Sequence, residues 1–220
     1  MGIYLLSHMR TGSTWLANIL LGHFQGLIGG AKIKYKRPNH PEIIKSLGSN
    51  YIIKSHFWNQ NLVTSKVKNN GLYKIVTIVR NPYDRFNSLC FRMERTRNKS
   101  FESLKEESQK HGFDESQLSR MIPGYSTRNH VKMEIPYIWT TYEWLKEDTF
   151  GEVKKILSFL ELTPTNQSIR NSVANGSTTT KNSSNFRKGI VGDWRNNLSE
   201  DYILFLKEHQ DKYWEIVNNE

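Results

Sequence analysis

The sequence predicts an α/β fold, a central and mostly parallel sheet flanked by helices, from three features of the chain. Short apolar and β-branched runs recur at intervals that suit crossover connections, and helical periodicity follows the first and third of them. The first three runs also end in polar or basic clusters, which places those clusters at one edge of the sheet. No internal repeat is present, and 220 residues suit a single domain spanning 1–220.

The first strand is expected at residues 3–6, leading into Ser7-His8-Met9-Arg10-Thr11-Gly12-Ser13-Thr14-Trp15. Leu16, Ile19, Leu20 and Phe24 then recur at the three-and-four spacing of a buried helix face, which predicts a helix over 14–21. The Thr, Gly, Ser and Thr of the turn would then sit at a helix N-terminus, where unpaired N–H groups and the positive dipole end favour a phosphate. An ordinary capped helix fits the same residues. The turn is not a Walker A loop, because the Gly, four residues, Gly-Lys-Ser/Thr spacing is absent.

A second strand is expected at 51–54, ending on Lys54-Ser55-His56, and a third at 74–79, ending on Arg80. Pro82 suits the first turn of the following helix, predicted over 83–92, where its missing N–H costs little. Arg80 thus lies at the carboxyl end of a strand, the edge where open α/β sheets bind ligands, although pairing with Asp84 also fits. Residues 93–126 are polar and weakly periodic, and read either as an excursion closing over a substrate or as a solvated helical insertion. A fourth strand at 137–142 and helices at 151–160 and 199–217 complete the pattern. The Asn, Ser, Thr and Gly content of 171–185 predicts a loop that orders around a ligand.

The octet Arg187-Lys188-Gly189-Ile190-Val191-Gly192-Asp193-Trp194 sets two adjacent cations against a glycine. An Arg forks onto phosphate oxygens, a Lys adds a point charge, and Gly189 lets backbone approach a ligand. A surface turn is the alternative for this stretch taken alone.

Composition excludes several classes. With 37% hydrophobic and 12% aromatic residues the chain is not a disordered one, and it contains no apolar run of the roughly 20 residues that span a membrane. The run at 3–6 is too short for a signal peptide, Leu6 breaks the myristoylation pattern, and the single Cys90 excludes an internal disulfide, so a reducing cytoplasm is expected. The Asn-x-Ser/Thr triplets at Asn98 and Asn175 then follow from composition. His8 lies beside the turn after the first strand, where a packing or solvent role fits better than a ligand contact, and His23, His40, His111, His130 and His209 show no metal-ligand spacing, so no metal is assigned. The net charge of +10 suits an anionic ligand; it also fits a nucleic-acid-binding protein, although no basic tail or recognisable motif supports that. A P-loop nucleotide kinase explains the first strand-turn-helix but neither the missing Walker lysine nor Lys54-Ser55-His56.

Together these segments resemble the family of sulfotransferases that use 3′-phosphoadenosine 5′-phosphosulfate (PAPS), especially its cytosolic branch. Arg10-Thr11-Gly12-Ser13-Thr14-Trp15 is similar to the family's 5′-phosphosulfate loop, and the stretch from Arg80 to Ser88 to its 3′-phosphate strand and helix. Arg187-Lys188-Gly189 with Gly192-Asp193-Trp194 resembles the C-terminal cofactor clamp, Lys54-Ser55-His56 the strand end with the catalytic histidine, and Tyr142-Glu143 the tyrosine segment beside adenine. The order matches along nearly the whole chain. Two departures stand out. Arg10 occupies a place where the cytosolic branch usually has Lys and carbohydrate sulfotransferases more often have Arg, and the chain starts almost on its first strand, which leads us to expect a more open acceptor pocket. No copy of the family's dimerisation motif is seen in 207–220, so oligomeric state is not carried over.

The resemblance implies a P-loop-like sulfotransferase fold and metal-independent transfer of a sulfuryl group from PAPS to a small phenol, alcohol, amine or sugar, leaving adenosine 3′,5′-bisphosphate (PAP). It makes His56 the base, with Lys54 and Arg10 offsetting charge on the leaving group. Ser88, Arg80, Arg187, Lys188 and Gly189 would hold the 3′-phosphate, Trp15 would stack on adenine, and Tyr142 would border its edge.

Overall fold

The computed structural model describes residues 1–7, 10–24, 26–28, 50–56, 73–97, 136–182, 186, 188–201, 203–204 and 206–207. The expected architecture is present. Five strands, β1 (Gly2–Ser7), β2 (Gly26–Ile28), β3 (Tyr51–Ser55), β4 (Tyr73–Val79) and β5 (Tyr137–Thr141), form one sheet in the order β2-β3-β1-β4-β5. Every pairing is parallel. Burial of β1 along its whole length explains its unbroken apolar run, since a parallel sheet covered on both faces has no polar side. The three-residue β2 has no counterpart among the sequence expectations, being too short to show a period.

Helix α1 (Ser13–Leu20) follows β1, and α2 (Pro82–Arg97) follows β4 with Pro82 at its first position. The Asn81 side chain starts α2 by accepting from the N–H groups of Tyr83 at 3.0 Å and Asp84 at 3.3 Å. After β5 come α3 (Tyr142–Glu147), α4 (Thr149–Phe159) and α5 (Asn166–Lys181). The expected strand through residue 142 therefore stops one residue early. Thr141 caps α3 by accepting from Trp144 N–H at 3.0 Å, which makes Tyr142 the first residue of a helix.

The loop expected over 171–185 is corrected more substantially: it is helical to Lys181, and 183–185 lie outside the described residues. Its Asn, Ser, Thr and Gly residues are weak helix formers, but packing overrides propensity here. Thr165 caps the helix, accepting from Ser168 N–H, and Ile169 and Val173 pack into the core. Gly176 lets α5 meet α1 closely, since a Cβ there would lie 2.6 Å from the backbone nitrogen of Ile19. Asn18 donates to Thr180 across the same contact at 3.0 Å.

The main core lies between the sheet and α1, α4 and α5, with Ile3, Leu5, Leu16, Ile19, Ile52, Val76, Leu145 and Ile156 at its centre. A second cluster of Tyr83, Phe86, Cys90, Leu198 and Leu206 packs α2 against the C-terminal segment. Of the helix expected over 199–217, Glu200, Asp201, Ile203, Leu204, Leu206 and Lys207 are helical, and 208–217 lie outside the described residues. The same holds for 98–126 of the expected excursion, whose first residues instead end α2. No described helix is long and apolar enough to cross a membrane.

Candidate active site

Parallel register brings the strand ends together: Leu6 pairs with Ser55 of β3, and Ser7 with Ile78 of β4. The chain leaves β1 toward β3 and later returns to its other side as β4, so this edge is the topological switch point. His56, Arg10 and Arg80 therefore emerge beside one another.

The turn after β1 is shaped by backbone conformation. Arg10 has φ 71° and Gly12 has φ 87°, and Gly12 is the N-cap of α1 with no side-chain cap bond. A non-glycine residue held at positive φ is strained, and an uncapped helix start leaves N–H groups for an anion. Gly12 has a second reason to be glycine, because a Cβ there would lie 2.5 Å from the Tyr142 ring. Thr11 and Ser13 are buried in the turn.

Lys54 crosses from β3 to donate to Thr14 Oγ1 at 2.7 Å. Burial pushes its ammonium down to about 8, with the charges of Arg92 and Arg10 acting in the same direction. His56 Nδ1 lies 3.1 Å from the Ser7 carbonyl and 3.3 Å from its hydroxyl. A carbonyl only accepts, so Nδ1 carries the proton and Nε2 keeps its lone pair. Burial, then the Lys54 charge, lower the imidazole to about 4, against a smaller opposing effect of the Ser7 backbone bond. The free protein therefore holds His56 neutral with Nε2 able to take a proton.

Arg80 is the hub. It is buried, stacks over Tyr142 at 4.2 Å, and donates to the carbonyls of Arg10 at 3.3 Å and Ile190 at 3.2 Å. Asp84 is not its partner: that carboxylate accepts from the backbone N–H groups of Gly192 and Trp194. Arg80 Nε is buried with no hydrogen-bond partner among the described residues, a donor suited to an oxyanion. Ser88, one helical face further along α2, accepts from Arg10 Nε at 3.0 Å. Gly189, at φ 67°, brings the C-terminal segment over Tyr142, whose hydroxyl would lie 3.4 Å from a Cβ placed there. Lys188 is half exposed and pairs with Asp193 at 3.6 Å. Trp15 meets Tyr142 edge to face at 5.8 Å, and its indole N–H donates to Ser177 at 3.0 Å. Burial raises the Tyr142 phenol above its ordinary value, opposed by Arg80.

The structure thus gathers Arg10, Thr11, Gly12, Ser13, Thr14, Trp15, Lys54, His56, Arg80, Ser88, Tyr142, Lys188 and Gly189 around one strand edge, while Arg187 lies outside the described residues. No cluster of three His, Cys, Asp or Glu side chains suited to a metal is found among the described residues. The sequence reading did not single out Ser7 or Ser177, and it offered Asp84 only as a partner for Arg80. Ser7 was legible, since parallel pairing of β1 with β3 sets it opposite His56; Ser177 was hidden by the misread helix.

Residues 2–215 match the sulfotransferase domain family. The chain belongs to that family. Sulfotransferase 1E1 of Rattus norvegicus is 26% identical over 214 residues, covering 86% of this chain and 67% of the rat protein. Among solved structures, mouse sulfotransferase SULT7A1 complexed with PAP aligns with a TM-score of 0.72 at 22% identity, covering 94% of this chain and 82% of that one. Retinol dehydratase in complex with androsterone and the inactive cofactor PAP aligns with a TM-score of 0.60 at 14% identity, over 94% and 80% of the two chains. This sulfotransferase therefore shares the fold of both, a parallel sheet flanked by helices.

Proposed function

We propose that this sulfotransferase moves a sulfuryl group from PAPS to a hydroxyl or amine of a small acceptor by in-line displacement, with His56 as base. The observation that carries the reading is the 3.1 Å contact between His56 Nδ1 and the Ser7 carbonyl: a carbonyl only accepts, so this contact favours the proton on Nδ1 and leaves Nε2 to accept the acceptor's proton. As that proton leaves, the acceptor oxygen bonds to sulfur and the sulfur–oxygen bond to the donor's 5′-phosphate breaks, its electron pair staying on PAP. Lys54 and Arg10 stand where that negative charge develops, and the α1 N-terminus with Thr11, Gly12, Ser13 and Thr14 supplies N–H and hydroxyl donors to the 5′-phosphate.

The unpartnered Nε of Arg80 and the hydroxyl of Ser88 suit the 3′-phosphate, joined by Lys188, Gly189 and, by sequence, Arg187. Adenine would lie on Trp15, against Tyr142. Two relatives are described with PAP, and one of them also with androsterone, an alcohol-bearing ligand, which agrees with this donor and with a small acceptor. The lone buried Cys90 suits a reducing compartment, and we assign the enzyme to the cytoplasm. Transfer of radiolabelled sulfuryl from PAPS across phenols, alcohols, amines and glycans tests the activity; a fully folded protein that binds PAP yet labels none of these classes would overturn the acceptor assignment, and one that ignores PAP would overturn the donor.

A further inference from the structure

The segment from Lys188 to Trp194 crosses the site as a strap, and it has little apolar anchorage of its own before Trp194. Ile190 and Val191, at its tip, are 49% and 44% exposed, and flanking glycines at φ 67° and 82° give it a backbone that other conformations compete with. Polar contacts hold it instead. Ile190 C=O accepts from Arg80, and then the strap turns its N–H groups onto one carboxylate: Gly192 donates to Asp84 Oδ2 at 2.6 Å and Trp194 to Asp84 Oδ1 at 3.3 Å. The Trp194 ring stacks on Tyr83 at 4.8 Å directly beside this point.

Asp84 is 1% exposed and sits in the first turn of α2, where the positive end of the helix favours a carboxylate. Its place in sequence matters as much. Arg80 lies four residues before it and Ser88 four residues after, so the acid sits between two side chains proposed for the 3′-phosphate, while its oxygens hold the segment that carries Lys188 and Gly189. A carboxylate facing a phosphate would repel it; here both oxygens are engaged by backbone donors, which fits a role away from the ligand itself.

We infer that Asp84 is a positioning residue that fixes the strap against α2, so that the two halves of the 3′-phosphate site keep one register. The inference rests on the PAPS reading for its ligand but not for its geometry. Asparagine at 84 preserves shape and leaves one acceptor oxygen, while its NH₂ opposes the other N–H, donor against donor.

The experiment compares wild type, Asp84→Asn, Gly192→Ala and the double variant. Hydrogen exchange of the free proteins should show amides of 188–198 exchanging about 10-fold faster in Asp84→Asn, as expected from loss of a charge-assisted bond, with β1 and β4 unchanged. Calorimetry should show PAP weakened about 10- to 100-fold and 5′-AMP by less than about 3-fold, with the double variant no worse than the weaker single. Equal losses for PAP and 5′-AMP, or faster exchange throughout the sheet, would assign Asp84 to folding alone; unchanged exchange in 188–198 would refute the contact. Gly192→Ala keeps the carboxylate and disturbs only the strap, so it decides the question if Asp84→Asn does not fold. Wild type binding PAP no more tightly than 5′-AMP would defeat the donor reading, and the exchange data would still decide the strap.

Discussion

Lys54→Met should make the protein more stable and less active at once. The ammonium of Lys54 falls from 10.5 in the unfolded chain to about 8 in the fold, because burial disfavours its charge and Arg92 and Arg10 repel it. At about 1.36 kcal/mol per pKa unit this corresponds to roughly 3 kcal/mol of destabilisation at neutral pH. Methionine removes the charge but also the bond to Thr14, worth about 1 kcal/mol, so a net gain near 2 kcal/mol is expected. For a chain of this size that is a rise of roughly 4–8 °C in Tm.

The pH dependence identifies the cause. The cost of a depressed lysine is fully present below the folded value of about 8 and fades as pH climbs toward 10.5, where the unfolded chain loses its proton as well. The stability difference between variant and wild type should therefore fall from about 2 kcal/mol at pH 7 to about 0.5 kcal/mol or less at pH 9.5, measured by urea unfolding at each pH. Taking the difference cancels the tyrosines that titrate in the same range. A variant that is no more stable at pH 7, or whose advantage is flat across that interval, would refute the view of Lys54 as a strained buried cation. Sulfuryl transfer should fall sharply in the same protein, since the charge that destabilises the fold is the one assigned to the leaving group.

His56→Ala should leave PAP affinity unchanged while transfer to an alcohol drops about 10²–10⁴-fold, and a phenol already ionised at neutral pH should lose less; wild-type turnover with the alcohol would remove His56 from the base role. With His56 held to about 4 and Lys54 to about 8, kcat/KM for PAPS should stay high well below pH 6 and decline as pH passes 8; an acid limb at the ordinary histidine value near 6.5 would contradict the geometry. Arg80→Ala should weaken PAP much more than 5′-AMP by calorimetry, because each charge-assisted bond to phosphate contributes about 1.5–3 kcal/mol. Gly176→Leu should destabilise by about 1–3 kcal/mol through overpacking of α5 on α1, read as a lowered urea midpoint.

The parts of the fold legible in the sequence are those where local pattern and tertiary role agree. β1, β3 and β4 are buried on both faces, so their apolar runs stand out, and Pro82 after Arg80 marks a helix start that packing does not alter. That the candidate site residues at strand ends share one edge was legible for the same reason, since a parallel sheet places successive strand ends together. What stayed hidden depends on contacts distant in sequence. Helix α5 looks like a loop because its stability comes from Gly176 meeting Ile19 and from Asn18 bonding Thr180, more than 150 residues apart. Asp84 likewise reads as the natural partner of Arg80 until the strap, over 100 residues later, supplies it with two N–H donors.

Four unfavourable features of the described residues lie at one place. Arg10 is a non-glycine residue at φ 71°, a conformation that costs about 1–3 kcal/mol. Beside it are the buried cation of Lys54, an uncapped α1 N-terminus and the unpartnered Nε of Arg80. Scattered through the chain these would be unrelated defects. Gathered at the switch point of a sheet whose central strand is fully buried, all but the backbone strain at Arg10 share one remedy, because an anion neutralises a cation, fills a helix N-terminus and accepts from an orphaned guanidinium. The rigid sheet keeps the groups from relaxing away from one another before the anion arrives. Part of the affinity for a polyanionic donor is then the release of costs already present in the free fold, which is why removing Lys54 should raise stability and lower function together.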